Sequence, residues 1–301
     1  MAVNWYPGHM HKARKEMKKA MPQVDLIIEV MDARIPFSSE NPAVSELRGQ
    51  KPCIKILNKA DLADPHTTQA WIEFFEQEKG VKAIAMSADQ KGQTRPLPAL
   101  CKKLGPKRNL AISPLRVMIM GIPNVGKSTM INALVGRPIA KVGNEPAVTK
   151  KQQRITLGDG IVLSDTPGFL WPRFEDQNSG YRLAVTGAIK NTAIQYEDIA
   201  LYAADFLLQA YPQRLIQRYR LNELPKDDIA LLEVIGSKRG GLRPGGVIDM
   251  HKASEVLLHD LRAGSLGRVS METPEMIKAA LAQAEAEAAA RIDATGGESP
   301  K

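Results

Sequence analysis

At 301 residues the chain has room for one sizeable α/β domain with a smaller partner, which is the expected arrangement. The hydrophobic fraction is 44%, no apolar run approaches the roughly 20 residues that a spanning helix needs, and two isolated cysteines, Cys53 and Cys101, exclude a disulfide framework or a zinc site. A formal net charge of +8 suits a polyanionic partner without specifying which one.

The chain starts with "NWYPGHMHKARKEMKKAM", which predicts a basic helix at about 9–21. No apolar segment of the signal-peptide kind follows it, so a cytoplasmic protein is expected. Apolar, β-branched runs predict strands at 24–32, 53–59, 81–87, 115–121, 152–158 and 160–165, with helices at 66–79, 97–104 and 127–135 between them. "LGDG" reads as a hairpin turn joining the last two strands, and the aperiodic "GPKRNLAISP" (105–114) as a linker. The result is a doubly wound six-stranded α/β sheet, mostly parallel, with one antiparallel edge pair. Beyond about residue 175 the pattern turns helical, through "YRLAVTGAIKNTAI", "YEDIALYAADFLLQAYPQRLIQRY", "KDDIALLEVIGSKR" and "MHKASEVLLHDLRAG". The expected division is 1–175 for the sheet domain, 176–275 for a smaller all-α domain, and 276–301 for an Ala/Glu-rich helix that frays into a disordered tail.

"GIPNVGKS" (121–128) fits the phosphate-loop pattern G-x-x-x-x-G-K-[ST], directly after a predicted strand and opening a predicted helix. Backbone N–H groups of Asn124 to Thr129, including Val125 and Gly126, would cradle phosphates, Lys127 would reach the β- and γ-phosphates, and Ser128 would ligate Mg²⁺. "DTPG" (165–168) ends the sixth strand, where Asp165 would meet the magnesium and the Gly168 N–H the γ-phosphate. Between them Thr149, in "NEPAVTKKQQ", could close over the γ-phosphate and add a ligand to Mg²⁺, or be an ordinary loop threonine. "NKAD" supplies Asn58, Lys59, Ala60 and Asp61; the Asp61 carboxylate can accept from N1–H and the 2-amino group of guanine, a pair that adenine does not offer. Ser87 and Ala88 after the third strand would offer a backbone N–H to O6.

In chain order the base reader precedes the phosphate loop, so every motif of a small GTPase is present in rotated order. The chain resembles a circularly permuted GTPase; "NWYPGHMHKARKEM", "MDARIP", "GIPNVGKST" and the glycine-rich 239–249 resemble the ribosome biogenesis GTPase A family over nearly the whole chain except its last 25 or so residues. That resemblance implies a GTPase that docks on immature large ribosomal subunits through rRNA, is stimulated by them and leaves after hydrolysis, with the helical domain assisting. Permuted relatives of the small subunit, with an OB-fold and a zinc site, do not fit. The family carries Pro-Gly ahead of the switch threonine, where this chain has Pro146-Ala147.

Phe169 and Leu170 stand where many GTPases place a water-orienting glutamine. A helix running back along the first strand would start at the nucleotide face, bringing His9 there as the catalytic candidate, although His9 could equally serve as part of a helix cap. The resemblance points to the same histidine. It also implies K⁺ at Asn124, which could otherwise be a structural loop residue. Lys12, Arg14, Lys15, Lys18 and Lys19 in the first helix, with Lys238, Arg239 and Arg243 near the end, are the RNA-contact candidates. Ribosomal proteins are possible further partners, no membrane is expected, and the protein should be monomeric off the ribosome. A protein-binding GTP switch without RNA and a nucleotide-holding scaffold without turnover are the rival readings.

Overall fold

The computed structural model describes residues 15–140, 153–166, 177–189, 195–243 and 245–294. Six strands form one sheet in the order β3-β2-β1-β4-β6-β5: β1 Leu26–Asp32, β2 Cys53–Asn58, β3 Val81–Ala85, β4 Leu115–Met120, β5 Gln153–Gly158 and β6 Ile161–Asp165. All neighbours are parallel except β5 with β6. A parallel sheet carries helices on both faces, which is why β1 and β2 are buried along their whole length and read as mostly apolar runs. The parallel run also gathers the C-terminal ends of β1, β2, β3, β4 and β6 at one edge, the position at which such sheets bind ligands.

The connections follow the expected chemistry. Residues 15–20 are helical (α1), with Met17 and Met21 buried and Lys15, Lys18 and Lys19 exposed. Short helices α2 (Pro36–Ser39) and α3 (Pro42–Arg48) follow β1, and Asn41 caps α3 by accepting from the Ala43 N–H. Asp64 caps α4 (Pro65–Phe75), accepting from the N–H groups of His66 and Thr67, with Pro65 at the first helical position. This helix stops four residues short of the expected 79, because "EQEK" offers no apolar residue to pack and Gly80, at φ 78°, turns the chain into β3. α5 (Leu97–Leu104) and α6 (Lys127–Val135) match their expected spans.

The helical part comprises α7 (Gln177–Val185), α8 (Tyr196–Ala210), α9 (Pro212–Tyr219), α10 (Asp228–Lys238), α11 (Met250–Arg262) and α12 (Pro274–Ala294). α7 departs from the sequence expectation of a helix through 181–194. It begins earlier and ends at Val185, where Gly187 takes a left-handed φ of 77° and Arg262 captures the carbonyls of Ala184 and Val185. None of the helices among the described residues is long and apolar enough to cross a membrane.

Two apolar clusters hold the layers together. The larger draws on both faces of the sheet and reaches the cores of α7, α8, α10 and α11. The smaller covers Met31, Leu57 and Ala83 with Trp71 and Phe75 of α4, and Ile277 of α12 joins it. The chain thus returns to the sheet after α11: the Val269 N–H donates to the Leu62 carbonyl (2.9 Å), Met271 to Arg34 (2.8 Å), and Trp71 Nε1 to the Glu272 carbonyl (3.0 Å). Glu272 is fully buried, and its carboxylate accepts from the Phe37 N–H (2.8 Å), from the N–H and hydroxyl of Ser38, and from Arg182 (3.4 Å). Burial pushes its pKa up, against the pull of Arg182 and the Ser38 and Phe37 donors.

Candidate active site

β4 delivers the chain into 121–126, and Gly126, at φ 94°, caps α6. Two of its glycines are dictated by close approach: a Cβ on Gly121 would overlap the Val30 carbonyl oxygen of β1, and one on Gly126 would overlap the Asn58 amide. Lys127 is buried, and its ammonium donates to the carbonyls of Gly121 and Ile122, both at 3.1 Å. Burial lowers its pKa to about 8, opposed only by Asp165. Ser128 and Thr129 are half-buried in the first turn of α6.

Asp165 lies at the end of β6 with both carboxylate oxygens buried and neither accepting a hydrogen bond of regular geometry. Burial raises its pKa to about 6, with Lys127 pulling the other way. A buried carboxylate with unused lone pairs, near a half-buried hydroxyl at the start of a phosphate-loop helix, suits a hard cation with oxygen ligands. The donor set therefore fits magnesium.

The "NKAD" segment is bonded to the phosphate loop. Asn58 Nδ2 donates to the Val125 carbonyl (2.7 Å), while its Oδ1 accepts from the Ala88 N–H (2.9 Å). Lys59 adopts a left-handed φ of 60°, and its ammonium bridges the Asn124 carbonyl and Asp32 Oδ2, both at 2.9 Å. Ala60 donates through its N–H to the Met86 carbonyl (3.2 Å). Asp61 is half-buried; its N–H donates to Ser87 Oγ (3.1 Å), and the Ser87 hydroxyl donates to Asp61 Oδ1 (2.6 Å). The structure thus brings together Asn58, Lys59, Ala60, Asp61, Ser87 and Ala88 with Asn124, Val125, Gly126 and Lys127.

Two further residues support the site. Asp32, at the end of β1, receives Arg34 Nε at 2.9 Å and Nη2 at 2.7 Å as well as Lys59. Burial alone would raise its pKa, but Arg34 and Lys59 outweigh burial and hold it well below the usual carboxylate range. Asp32 and Arg34 belong to "MDARIP", and the position of Asp32 at the ligand-facing end of a strand is the signal that marks it. The second is Gly187 after α7, whose carbonyl accepts from Asn124 Nδ2 at 3.1 Å. Because its neighbour is a carbonyl, the Asn124 amide must present its NH₂ there, leaving Oδ1 without a hydrogen-bond donor among the described residues. His9, Thr149, Gly168, Lys12 and Arg14 lie outside the described residues. Lys238 and Arg239 lie together at the end of α10, whereas Arg243 is ion-paired with Asp249 at 2.9 Å.

Asn58 and Lys59 come first in the chain and yet are bonded to the loop at 124–125, so this is a P-loop GTPase sheet entered at its base-reading strand: a circularly permuted GTPase. A family model described as "50S ribosome-binding GTPase" matches residues 116–235. The chain is 46% identical over 282 residues to the ribosome biogenesis GTPase A of Bacillus cereus, covering 91% of this chain and 95% of that one. It is 36% identical over 275 residues to the ribosome biogenesis GTPase A of Thermotoga maritima, covering 91% and 96%. The solved structure of GNP-bound YlqF from T. maritima superposes with a TM-score of 0.62 at 30% identity, covering 88% of this chain and 99% of that one. The chain belongs to the ribosome biogenesis GTPase A family.

Proposed function

We propose that this GTPase acts in ribosome biogenesis by docking on immature large ribosomal subunits through rRNA, and that GTP hydrolysis releases it and so times a late assembly step. The observation that carries the nucleotide half of this reading is the bonding of Asn58 and Lys59 to the phosphate loop, because it joins base selection to phosphate binding in one rigid unit. The ribosomal half rests on family membership and on the exposed cations of α1 and the helical part.

In this reading the Asp61 carboxylate, oriented by Ser87, accepts from guanine N1–H and the 2-amino group, and the 87–88 backbone donates to O6. Lys127 and the N–H groups of 124–129 hold the phosphates. Ser128, Asp165 and Thr149 hold Mg²⁺, which when bound supplies positive charge to the β- and γ-phosphate oxygens. Asn124 Oδ1 is the ligand offered to K⁺, Gly168 donates to the γ-phosphate, and His9 orients the attacking water. Residues 176–275 assist the N-terminal cations in ribosome contact.

The test is GTP turnover with and without large-subunit precursor particles. Stimulation by the precursor, and less by mature subunits or free rRNA, is expected. Turnover indifferent to particles contradicts the reading and favours a GTP switch that uses no RNA.

A further inference from the structure

Between α9, the end of α10 and the turn at 265–267 lies an open cavity of about 770 Å³. Arg214, Arg218, Arg220, Lys238 and Arg239 line it. On α9 the buried residues Leu215 and Tyr219 are four apart, and Arg214 and Arg218, also four apart, occupy a neighbouring face that opens on the cavity. Arg220 caps the helix in the left-handed region, at φ 50°, a place where glycine is the unstrained choice and where a long cation needs a reason.

Most of these cations are fixed without a carboxylate ion pair. Of the five cations, Asp260 hydrogen-bonds only Arg218, accepting from Nε at 2.8 Å and Nη2 at 2.6 Å, and it attracts Arg239 at longer range. Arg214, Arg220, Lys238 and Arg239 have no carboxylate in ion-pair range among the described residues. Lys238 Nζ instead donates to the Arg220 carbonyl (2.9 Å), and Arg239 Nη2 donates to the Arg218 carbonyl (3.2 Å). Arg239 also lies over the Tyr219 ring and Arg214 over the Tyr211 ring, 5.8 Å and 5.6 Å from the centroids. Rings and carbonyls position a cation without themselves cancelling its charge. Each of these groups keeps spare N–H donors, and gathering them in a concave site focuses the positive potential.

We propose that this cavity receives an unpaired RNA strand, whose phosphates bind Arg214, Arg220, Lys238 and Arg239. The inference rests on the rRNA-docking reading and adds to it a place and a form of RNA. Guanidinium groups match phosphate oxygens in bidentate geometry, and a concave pocket admits a single strand where a duplex would meet only its rim. The same chemistry would accept free phosphate, so the test separates the two.

The full chain and the double variant Arg214→Gln/Arg220→Gln are titrated with a short single-stranded RNA, with the duplex of equal length and with inorganic phosphate, over a range of salt. GTP affinity, expected to be equal in both proteins, shows that the variant is folded. Single-strand binding should weaken at least about ten-fold in the variant, and the log–log salt slope should become shallower by about 1.4, or about 0.7 for each phosphate no longer neutralised. Equal single-strand binding by both proteins overturns the proposal, and so does a duplex that binds the wild type as tightly as the strand. Phosphate that occupies the cavity without affecting RNA affinity also overturns it. A wild type that pellets with precursor particles but binds no single strand overturns this inference and leaves the docking reading standing, whereas one retained by neither fails both.

Discussion

The Asn124 amide donates to the Gly187 carbonyl at 3.1 Å, tying the phosphate loop to the residue that ends α7. Lys59 holds the backbone of the same asparagine, so base reader, phosphate loop and the start of the helical part meet at one residue. Asn124→Ala removes both the tether and the Oδ1 atom proposed to meet K⁺. Wild-type hydrolysis should be faster in KCl than in NaCl, and the variant should lose most of that difference, with turnover in KCl falling by about ten-fold or more. An unchanged KCl-to-NaCl ratio in the variant would show that Asn124 holds no potassium.

Arg34 covers both oxygens of buried Asp32 and reaches the Thr186 carbonyl. Arg34→Ala leaves that carboxylate with Lys59 as its only cation, beside the backbone N–H of residue 34, and should destabilise the fold by about 3–5 kcal/mol in denaturant titration. Arg34→Lys should restore little, since an ammonium cannot reproduce the two-pronged contact. The folded-state pKa of Asp32 is depressed, so its contribution is present above the ordinary carboxylate pKa and is lost as pH falls below it. Acid unfolding of the Arg34 variants should accordingly begin at higher pH than in the wild type.

Asp61→Asn should lose GTP binding and gain affinity for xanthosine nucleotide, whose 2-oxo group matches the amide. Ser87→Ala removes the donor that orients Asp61. One hydrogen bond of about 1–1.5 kcal/mol corresponds to a roughly five- to ten-fold loss of GTP affinity, with binding of ATP still negligible. Calorimetric titration with the three nucleotides resolves these outcomes.

Glu29 on β1 is buried beside Lys55, 3.9 Å away, but Lys55 donates to Glu40, and Glu29 Oε2 lacks a hydrogen-bond donor. Burial raises its pKa to about 7, against the pull of Lys55. The folded state then binds a proton that the unfolded chain has released, so stability falls as pH rises from about 4.5 to about 7. Glu29→Gln should flatten that part of the stability–pH curve. A variant whose curve parallels the wild type would place the titration elsewhere.

The sheet was legible in the sequence because strands buried on both faces leave predominantly apolar, β-branched runs, and the phosphate loop because glycines at 121 and 126 are forced by the approach of Val30 and Asn58. The rotated order of the motifs was legible for the same reason. The supports were not. Glu272 bonds residues 37 and 38 across more than 230 positions, and Gly187 serves Asn124 through its backbone, which has no sequence signature. Ile277 sits in a segment so rich in alanine and glutamate that its one buried turn does not register as a periodic face.

His9→Ala should keep GTP affinity and lose roughly two orders of magnitude or more of particle-stimulated turnover, as expected for removal of a general acid–base or water-orienting group. Single-turnover hydrolysis with saturating precursor checks it, and undiminished turnover would move the water-activating role to another residue.

The most direct measurement is co-sedimentation with large-subunit precursors in a non-hydrolysable GTP analogue, in GDP and without nucleotide. The chain should pellet with precursors in the analogue and remain in the supernatant in GDP. A distribution indifferent to nucleotide, or absence from the pellet in the analogue, would contradict a GTP-timed visit to the maturing large subunit.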